Sequence, residues 1–225
     1  HHRISCRQRF DIFFGKNRYE ILETPLPIED PLNWVDTKSY KDRLKEARKK
    51  TGQNCGAMIA RGKINDIDVT VGAINFDFIG GSVGAAEGEA IIYGVQHAID
   101  NQTPYIFFAC GGGQRMFESP IALANMTRTT LAINEIKKNN IPTFAIAARA
   151  VAGGTYASSF FMHDFIIIES KCVENILFSG KRVTANILKG TDAIPESFGR
   201  ADGIMNAGLA DMTLESRKDL KDTVT

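Results

Sequence analysis

Short apolar runs alternate with longer amphipathic segments in the second half of the chain. The runs at 105–109, 143–147 and 165–168 are typical of buried strands. The first two lead through glycines into segments with helical periodicity, at about 114–138 and about 154–162. A connection long enough to hold a helix joins parallel strands. The pattern therefore predicts an α/β fold with mainly parallel pairing.

The stretch just before these units has a different pattern. Two β-rich segments, 57–60 and 67–74, flank an Asn65-Asp66 turn and predict a hairpin. A glycine-rich segment, 78–90, then leads into another amphipathic helix. No linker or low-complexity segment divides these elements, so we predict one domain over residues 55–225.

The first 54 residues lack such units. Prolines interrupt residues 1–35 and predict an irregular lead with short helical pieces. A helix capped by Asp36 or Thr37 and ending near residue 50 follows, and its side chains over 38–50 are mostly basic. We therefore predict that residues 1–54 form an N-terminal lead with a basic helix. Such a helix is usually solvated, but it also suits binding of a phosphorylated ligand or a partner.

Composition and cysteine usage exclude several classes of protein. The 27 Lys and Arg residues almost balance the 26 Asp and Glu residues, so the chain is not a general polyanion binder. No apolar run reaches the ~20 residues of a membrane helix, and the first residues lack the apolar core of a signal peptide, so we expect a cytoplasmic protein. Four cysteines, at 6, 55, 110 and 172, lack metal-binding spacing, which predicts reduced thiols and no metal site within this chain.

Two glycine pairs, Gly112-Gly113 and Gly153-Gly154, stand where a predicted strand opens into a helix. Glycine lets the main chain approach a ligand closely, and the first amides of a helix have no partner within it. Two such amides stabilise a developing oxyanion by ~3 kcal/mol per donor. Tight packing of helix on sheet is the other explanation for either pair, but two pairs in equivalent places favour an oxyanion-binding role.

Other chemistries fit the sequence poorly. No Walker A loop is present, and Gly80-Gly81 opens a glycine stretch with the wrong spacing for a dinucleotide fingerprint. No Asp or Glu lies between 155 and 163, where a general base would be needed beside the second glycine pair. Glu118 is the nearest alternative, whereas Glu87 and Glu89 suit a helix N-terminus. A reaction whose base arrives with a cofactor fits this combination.

Segments spread over nearly the whole chain carry a family resemblance. They are HHRISCRQRF at 1–10, YKDRLKEARKKTG at 40–52, FDFIGGSVGAAEGEA at 76–90, GGGQRM at 111–116, AGGTYASSF at 152–160 and FSGKRV at 178–183. In their order and spacing the sequence resembles the β subunits of bacterial acetyl-coenzyme A carboxylase carboxyltransferase. It departs from the usual family pattern in residues next to the glycines, at 111–116, 149–154 and 178–183.

The resemblance implies a crotonase-like (ClpP/crotonase) ββα superhelix and a biotin-dependent carboxyltransferase. Such an enzyme moves a carboxyl group from carboxybiotin, held on a separate carrier protein, to acetyl-CoA and gives malonyl-CoA for fatty acid synthesis. The biotin left after CO₂ release acts as the base, which agrees with the missing carboxylate. By the resemblance, Gly153 and Gly154 supply one oxyanion hole, with a less certain one at Gly112 and Gly113.

The resemblance also implies partners and substrate contacts. The partners are an α subunit in an α2β2 assembly, which would supply a matching oxyanion hole, the biotin carboxyl carrier protein and biotin carboxylase. Zinc is expected only in a four-cysteine ribbon upstream of residue 1. Either this chain is a fragment of a longer protein that carries the ribbon, or it is a relative without one. We favour the fragment. The predicted substrate-binding residues, several of them cations placed to meet CoA phosphates, are Arg115, Gly80, Gly81, Lys45, Arg48, Lys49, Arg61 and Lys63.

Two alternatives stay open at this stage. One is a different crotonase-fold enzyme, a hydratase or isomerase of acyl-CoA with Glu118 as its base. The other is a catalytically inactive subunit that only binds CoA or a partner.

Overall fold

A computed structural model describes residues 3–169, 175–188, 190 and 194–225. Its described residues form one eight-stranded sheet in the order β1-β2-β3-β4-β5-β6-β8, with β7 paired to the end of β5. The strands are β1 (Tyr19–Leu22), β2 (Ala57–Ile64), β3 (Ile67–Ile74), β4 (Tyr105–Gly111), β5 (Thr143–Ala152), β6 (Phe165–Glu169), β7 (Ile176–Leu177) and β8 (Met212–Leu214).

Helices cover both faces of the sheet. They are α1 (Cys6–Phe14), α2 (Tyr40–Thr51), α3 (Ala85–Asn101), α4 (Ser119–Lys138), α5 (Gly153–Thr155), α6 (Lys181–Ile187), α7 (Ala201–Asn206) and α8 (Leu220–Thr223). Short 3₁₀ turns stand at Ile79–Gly81 and Met116–Glu118, and a π turn, Tyr156–Phe160, continues α5.

The predicted hairpin and parallel units are both present. β2 and β3 pair antiparallel from Ala57↔Ile74 to Ile64↔Ile67, and the turn residues Asn65 and Asp66 have positive φ, which Asn and Asp tolerate better than most residues. From β3 to β6 the pairing is parallel. The α/β prediction is therefore confirmed, and the carboxyl ends of β3, β4 and β5 share one edge of the sheet.

Two apolar clusters fill the space on the two faces of the sheet. The larger lies under α3 and α4 and includes Val95, Phe107 and Ile133. The other lies under α1 and the C-terminal segment and includes Phe13 and Phe108. Every residue of β4 is buried, because both of its faces are covered, and this explains its continuous apolar sequence.

The predicted division at residue 54 does not appear in the structure. The N-terminal helix α1 packs Phe13 on Phe108 with ring centroids 5.6 Å apart, and β1 pairs antiparallel with β2. A buried ion pair of 2.5 Å joins Arg9 to Glu169 at the end of β6. Residues 6–22 are thus part of the sheet and core rather than an irregular lead. Strand β1 is only four residues long, which is too short to show a periodic pattern.

The basic helix is present and begins slightly later than predicted. Ser39, rather than Asp36 or Thr37, accepts the hydrogen bond from the amide of Asp42, and Gly52 ends α2 in the left-handed conformation at φ 68°. Tyr40, Leu44 and Ala47 face inward, and Phe78 packs against them. The helix is therefore docked on the domain by an apolar face, with most of its cations outward.

No helix in the described part of the chain is long and apolar enough to cross a bilayer. Cys6, Cys55 and Cys110 are buried free thiols, as predicted. Cys172 lies outside the described residues.

Candidate active site

Three glycine segments meet at the carboxyl edge of the sheet. A Cβ on Gly111 would overlap the carbonyl group of Gly81, and a Cβ on Gly81 would lie 2.8 Å from the carbonyl oxygen of Cys110. A Cβ on Gly113 would lie 3.1 Å from the carbonyl oxygen of Ala152. Only glycine allows these main chains to approach so closely. The structure thus brings together the predicted glycines of the 80–81, 112–113 and 153–154 segments.

One amide of each predicted oxyanion pair is already engaged. The Gly112 amide donates to the carbonyl oxygen of Gly80 at 3.2 Å, and the Gly153 amide donates to that of Phe178 at 3.1 Å. Both hydrogen bonds join residues far apart in the chain, so the local sequence pattern could not predict them. In the described part of the chain the amides of Gly113 and Gly154 have no such backbone partner, and the Gly154 amide is near the start of α5, where helical amides lack internal acceptors. These two amides are the candidate donors for an anionic oxygen.

A short parallel bridge holds the loops in register. The amide of Val83 donates to the carbonyl oxygen of Gly113, and the amide of Arg115 donates to that of Val83, each at 2.8 Å. The loop that starts α3 is thereby fixed to the loop that leaves β4. The positions of the Gly113 amide and of the α3 N-terminus are consequently coupled.

Arg115 has a different role from the one predicted. Its side chain is 1% exposed, and its Nη2 lies 2.8 Å from Glu87 Oε1 and donates to the carbonyl oxygen of Ser82 at 2.6 Å. Its Nη1 donates to the hydroxyl oxygen of Tyr40 at 3.0 Å. The guanidinium is enclosed by protein groups, so we correct the predicted substrate contact to a structural one that fixes the loops from inside.

The two buried carboxylates beside Arg115 hold the start of α3. Glu87 accepts from the amides of Gly56 at 2.7 Å and Gly84 at 2.9 Å. Glu118 accepts from the hydroxyl of Tyr40 and the amide of Ala85. Burial raises the pKa of Tyr40 far above its ordinary value, so the phenol keeps its proton and donates it to the hydrogen bond.

These contacts weaken the hydratase or isomerase alternative. A general base needs a lone pair directed at substrate, and both oxygens of Glu118 are occupied by protein donors or by Arg115 at 3.5 Å. Glu87 is the helix N-terminal charge that the sequence favours, and Glu89 pairs on the surface with Arg128 at 2.6 Å.

The predicted basic cluster is divided between two places. Arg61 and Lys63 lie on β2 opposite Thr70 and Asp68, at the end of the sheet where β4 begins rather than where the glycines meet. They pair there with Glu20 at 2.6 Å and Asp68 at 3.3 Å. Strand β4 has seven residues, and the six steps from Tyr105 to Gly111 put ~20 Å between its two ends. The five cations therefore do not form one cluster, and a contact of Arg61 or Lys63 with CoA phosphate stays a prediction.

The other three cations lie on α2. Arg48 pairs with Glu29 and donates to the carbonyl oxygen of Asn54 at 3.0 Å. Lys45 and Lys49 are exposed and form no ion pair within the described residues. Their proposed contact with phosphate stays a prediction.

Sequence reasoning missed two groups of residues near the glycines. Tyr40 joins α2 to the buried Arg115 cluster, and its place as the first residue of a basic helix gave no sign of this contact. A second group of cations gathers around Phe76 and Asp77 just after β3. Its members are far apart in sequence, so no local motif contains them.

Comparison with known proteins decides the family. The model of the carboxyl transferase domain matches residues 33–224, which is most of the chain. The chain belongs to the carboxyl transferase family. One relative within it, the acetyl-coenzyme A carboxylase carboxyl transferase subunit beta of Pelagibacter ubique (strain HTCC1062), is 51% identical over 224 residues, which cover 100% of this chain and 71% of the relative.

Solved structures agree with this family at the level of the fold. Transcarboxylase 12S, with methylmalonyl-coenzyme A and methylmalonic acid bound, superposes with a TM-score of 0.75 at 21% identity over 99% of this chain and 40% of that one. A Pseudomonas malonate decarboxylase hetero-tetramer in complex with malonate gives 0.76 at 19% identity over 98% and 80%. The predicted crotonase-like fold is confirmed by these neighbours.

Proposed function

We propose that the chain is the β subunit of an acetyl-CoA carboxylase carboxyltransferase, which moves a carboxyl group from carboxybiotin to acetyl-CoA and yields malonyl-CoA for fatty acid synthesis in the cytoplasm. The observation that carries the proposal is the similarity, over the whole of this chain, to the Pelagibacter subunit of that name. The glycine edge supports it, because Gly113 and Gly154 each offer an amide there.

The chemistry suits the residues at this edge. Removal of a methyl proton from acetyl-CoA places negative charge on the thioester oxygen, and main-chain amides fixed before the reaction stabilise such a charge. Carboxybiotin supplies the carboxyl group and, once it has lost CO₂, the base. The chain needs no carboxylate of its own in that scheme, and Glu87 and Glu118 are committed to the α3 N-terminus.

A partner subunit is part of the proposal. Leu123 and Leu131 are exposed eight residues apart on α4, so they share one face of that helix, and Met116 is exposed just before it. Apolar side chains grouped on a surface indicate a protein contact. We assign this face to an α subunit that supplies the second oxyanion hole in an α2β2 assembly. The biotin carboxyl carrier protein and biotin carboxylase complete the set of partners, and zinc belongs to a ribbon upstream of residue 1.

A reconstitution assay tests the proposal. The full-length protein is purified alone and with an α subunit, and malonyl-CoA formation from acetyl-CoA and carboxybiotin is measured by mass spectrometry. We expect turnover only with both subunits. Hydration of crotonyl-CoA by the chain alone would overturn the proposal in favour of a hydratase. Binding of CoA without turnover in any combination would overturn it in favour of an inactive binding subunit.

A further inference from the structure

Three cations gather around one phenyl ring and one carboxylate. The guanidinium carbons of Arg3 and Arg149 lie 5.1 and 4.8 Å from the centroid of the Phe76 ring. Asp77 Oδ1 lies 3.6 Å from Arg3 Nη1 and 3.0 Å from Lys50 Nζ. We call Arg3, Lys50, Phe76, Asp77 and Arg149 the edge cluster.

The edge cluster carries more positive charge than its own carboxylate balances. The hydrogen bond from Lys50 first, and then the charges of Lys50, Arg3 and Arg149, hold the pKa of Asp77 below its usual value despite partial burial, so Asp77 stays ionised and balances one cation. The side chain of Arg149 has no ion pair or hydrogen bond among the described residues, and its guanidinium contacts the Phe76 ring. Like charges this close repel one another, and an anion placed among them would relieve that repulsion.

The cluster is open to solvent. The side chains of Arg3 and Lys50 are 53% and 62% exposed, so a ligand reaches their charged ends without displacing protein. Arginine presents a planar set of donors that matches the oxygens of a phosphate, and stacking of Arg3 and Arg149 on Phe76 limits the freedom of that set. The site is therefore better organised than a pair of freely moving surface cations.

The edge cluster lies at the same end of the sheet as the glycine loops. Phe76 and Asp77 follow β3 and precede Gly80 by three or four residues, and Arg149 precedes Gly153 by four residues along β5. Four extended residues span at most ~14 Å, so the cluster is a neighbour of the glycine loops. Arg61 and Lys63, by contrast, are at the opposite end of the sheet.

We propose that Arg3, Lys50 and Arg149 form a phosphate-binding subsite for the nucleotide end of a CoA thioester whose reacting end lies at the glycine loops. The inference rests on the acyl-CoA chemistry proposed above and adds the residues that recognise the nucleotide. The ribose phosphate and the diphosphate of CoA share the chemistry that the subsite binds. In CoA the pantetheine arm separates these phosphates from the thioester. A phosphate-binding subsite is therefore expected beside the glycine loops rather than among them.

Calorimetric titration of the full-length protein, in the assembly in which it purifies, tests the subsite. CoA and dephospho-CoA, which lacks the ribose phosphate, are the probes, and the variants are Arg149→Gln, Arg3→Gln and their combination. We expect Arg149→Gln to weaken CoA binding about tenfold, the size of one charge-assisted hydrogen bond. A loss for CoA but not for dephospho-CoA assigns the subsite to the ribose phosphate, and an equal loss for both assigns it to the diphosphate.

Control variants separate charge from folding. Arg149→Lys keeps the charge and should recover most of the affinity, whereas Lys138→Gln removes an exposed cation of α4 whose ion-pair partner among the described residues is Glu135, and it should leave affinity unchanged. CoA and dephospho-CoA affinities that stay within twofold of wild type in the double variant would overturn the proposal. So would an equal loss in Lys138→Gln.

A nucleotide-free substrate distinguishes failure of the subsite from failure of the proposed function. S-acetyl-N-acetylcysteamine carries the thioester without the phosphates, so its carboxylation should be the same in wild type and Arg149→Gln. If acetyl-CoA is carboxylated but the variants bind CoA normally, the subsite is wrong and the function stands. If the variants lose CoA affinity while wild type carboxylates neither substrate, the subsite stands and the function is wrong.

Discussion

Gly113 lies against the amide of Gly154. A Cβ on Gly113 would be 3.2 Å from the Gly154 nitrogen and equally close to the Cα of Gly153. The loops that follow the adjacent parallel strands β4 and β5 are thus in main-chain contact, and each contributes one amide that has no backbone acceptor among the described residues. This relationship, rather than either glycine pair alone, defines the candidate oxyanion site.

The substitution Gly113→Ala should reduce turnover strongly. Its methyl group would enter the contact with Gly154, and its φ of 98° disfavours any residue with a Cβ. Misplacing one amide donor costs about 10²–10³ in kcat. Steady-state kinetics of the reconstituted enzyme measure this loss, and urea denaturation measures the accompanying change in the free energy of unfolding.

The neighbouring Gly112→Ala is the matched control. Its Cβ would be 3.9 Å from the carbonyl oxygen of Gly80, an ordinary contact, and its φ is not in the left-handed range. We expect kcat within about threefold of wild type, because the Gly112 amide is already bonded to Gly80 and the added methyl group makes only an ordinary contact. Equal losses in both variants, or a larger loss in Gly112→Ala, would contradict the assignment of the donor to Gly113.

The sequence predicts those parts of the site that a short stretch of residues is enough to reveal. Buried apolar runs and glycine pairs are visible within a few residues, so the parallel strands and the loops at 112–113 and 153–154 were found. The use of the Gly112 and Gly153 amides was not, because their acceptors, Gly80 and Phe178, are distant in the chain. Arg115 was misassigned for the same reason, since a conspicuous arginine beside glycines gives no sign of a buried carboxylate elsewhere.

The Glu87–Arg115 pair should contribute far more to stability than the surface pair beside it. Glu87→Gln leaves the buried guanidinium without its nearest counter-charge, and breaking a buried pair typically costs about 3–5 kcal/mol. Glu89 lies on the same helix as Glu87 and forms a partly solvated ion pair with Arg128 of α4. Loss of this pair in Glu89→Gln should reduce the free energy of unfolding by less than about 1 kcal/mol. Urea denaturation of both variants gives the two values. Similar losses would show that burial of Arg115 does not set the cost.

The described cysteines should resist alkylation in the folded protein. Burial raises the pKa of Cys55 and Cys110 to about 12 and that of Cys6 further, and all three thiols are enclosed. The thiolate is the reactive form, so iodoacetamide at pH 8 should leave them unmodified until urea is added. Mass spectrometry of tryptic peptides reports each site separately. Rapid labelling of Cys110 in the native protein would contradict the burial of this strand end.

His163 should make the protein less stable in mild acid. Its ring packs nearly parallel to the rings of both Tyr105 and Phe107, with each centroid 6.0 Å away, and its Nε2 donates to the carbonyl oxygen of Ser159 at 3.2 Å. Burial lowers its pKa from 6.5 to about 4, so the folded protein binds fewer protons than the unfolded chain between those values. The stabilisation is complete above about pH 6.5 and is lost progressively as the pH falls towards 4, by up to about 3 kcal/mol.

Urea denaturation between pH 5.5 and 7 measures this slope at pH values above most of the titration of ordinary carboxylates, whose pKa values are about 4. The variant His163→Phe keeps a ring in the stack but has no proton to bind, so its free energy of unfolding should change much less with pH than that of wild type, whatever its absolute value. His97→Gln is the comparison, because burial lowers the pKa of His97 as well, but that ring is only partly buried on α3 and its removal should leave most of the slope in place. A slope that survives in His163→Phe and disappears in His97→Gln would transfer the acid sensitivity to the other histidine.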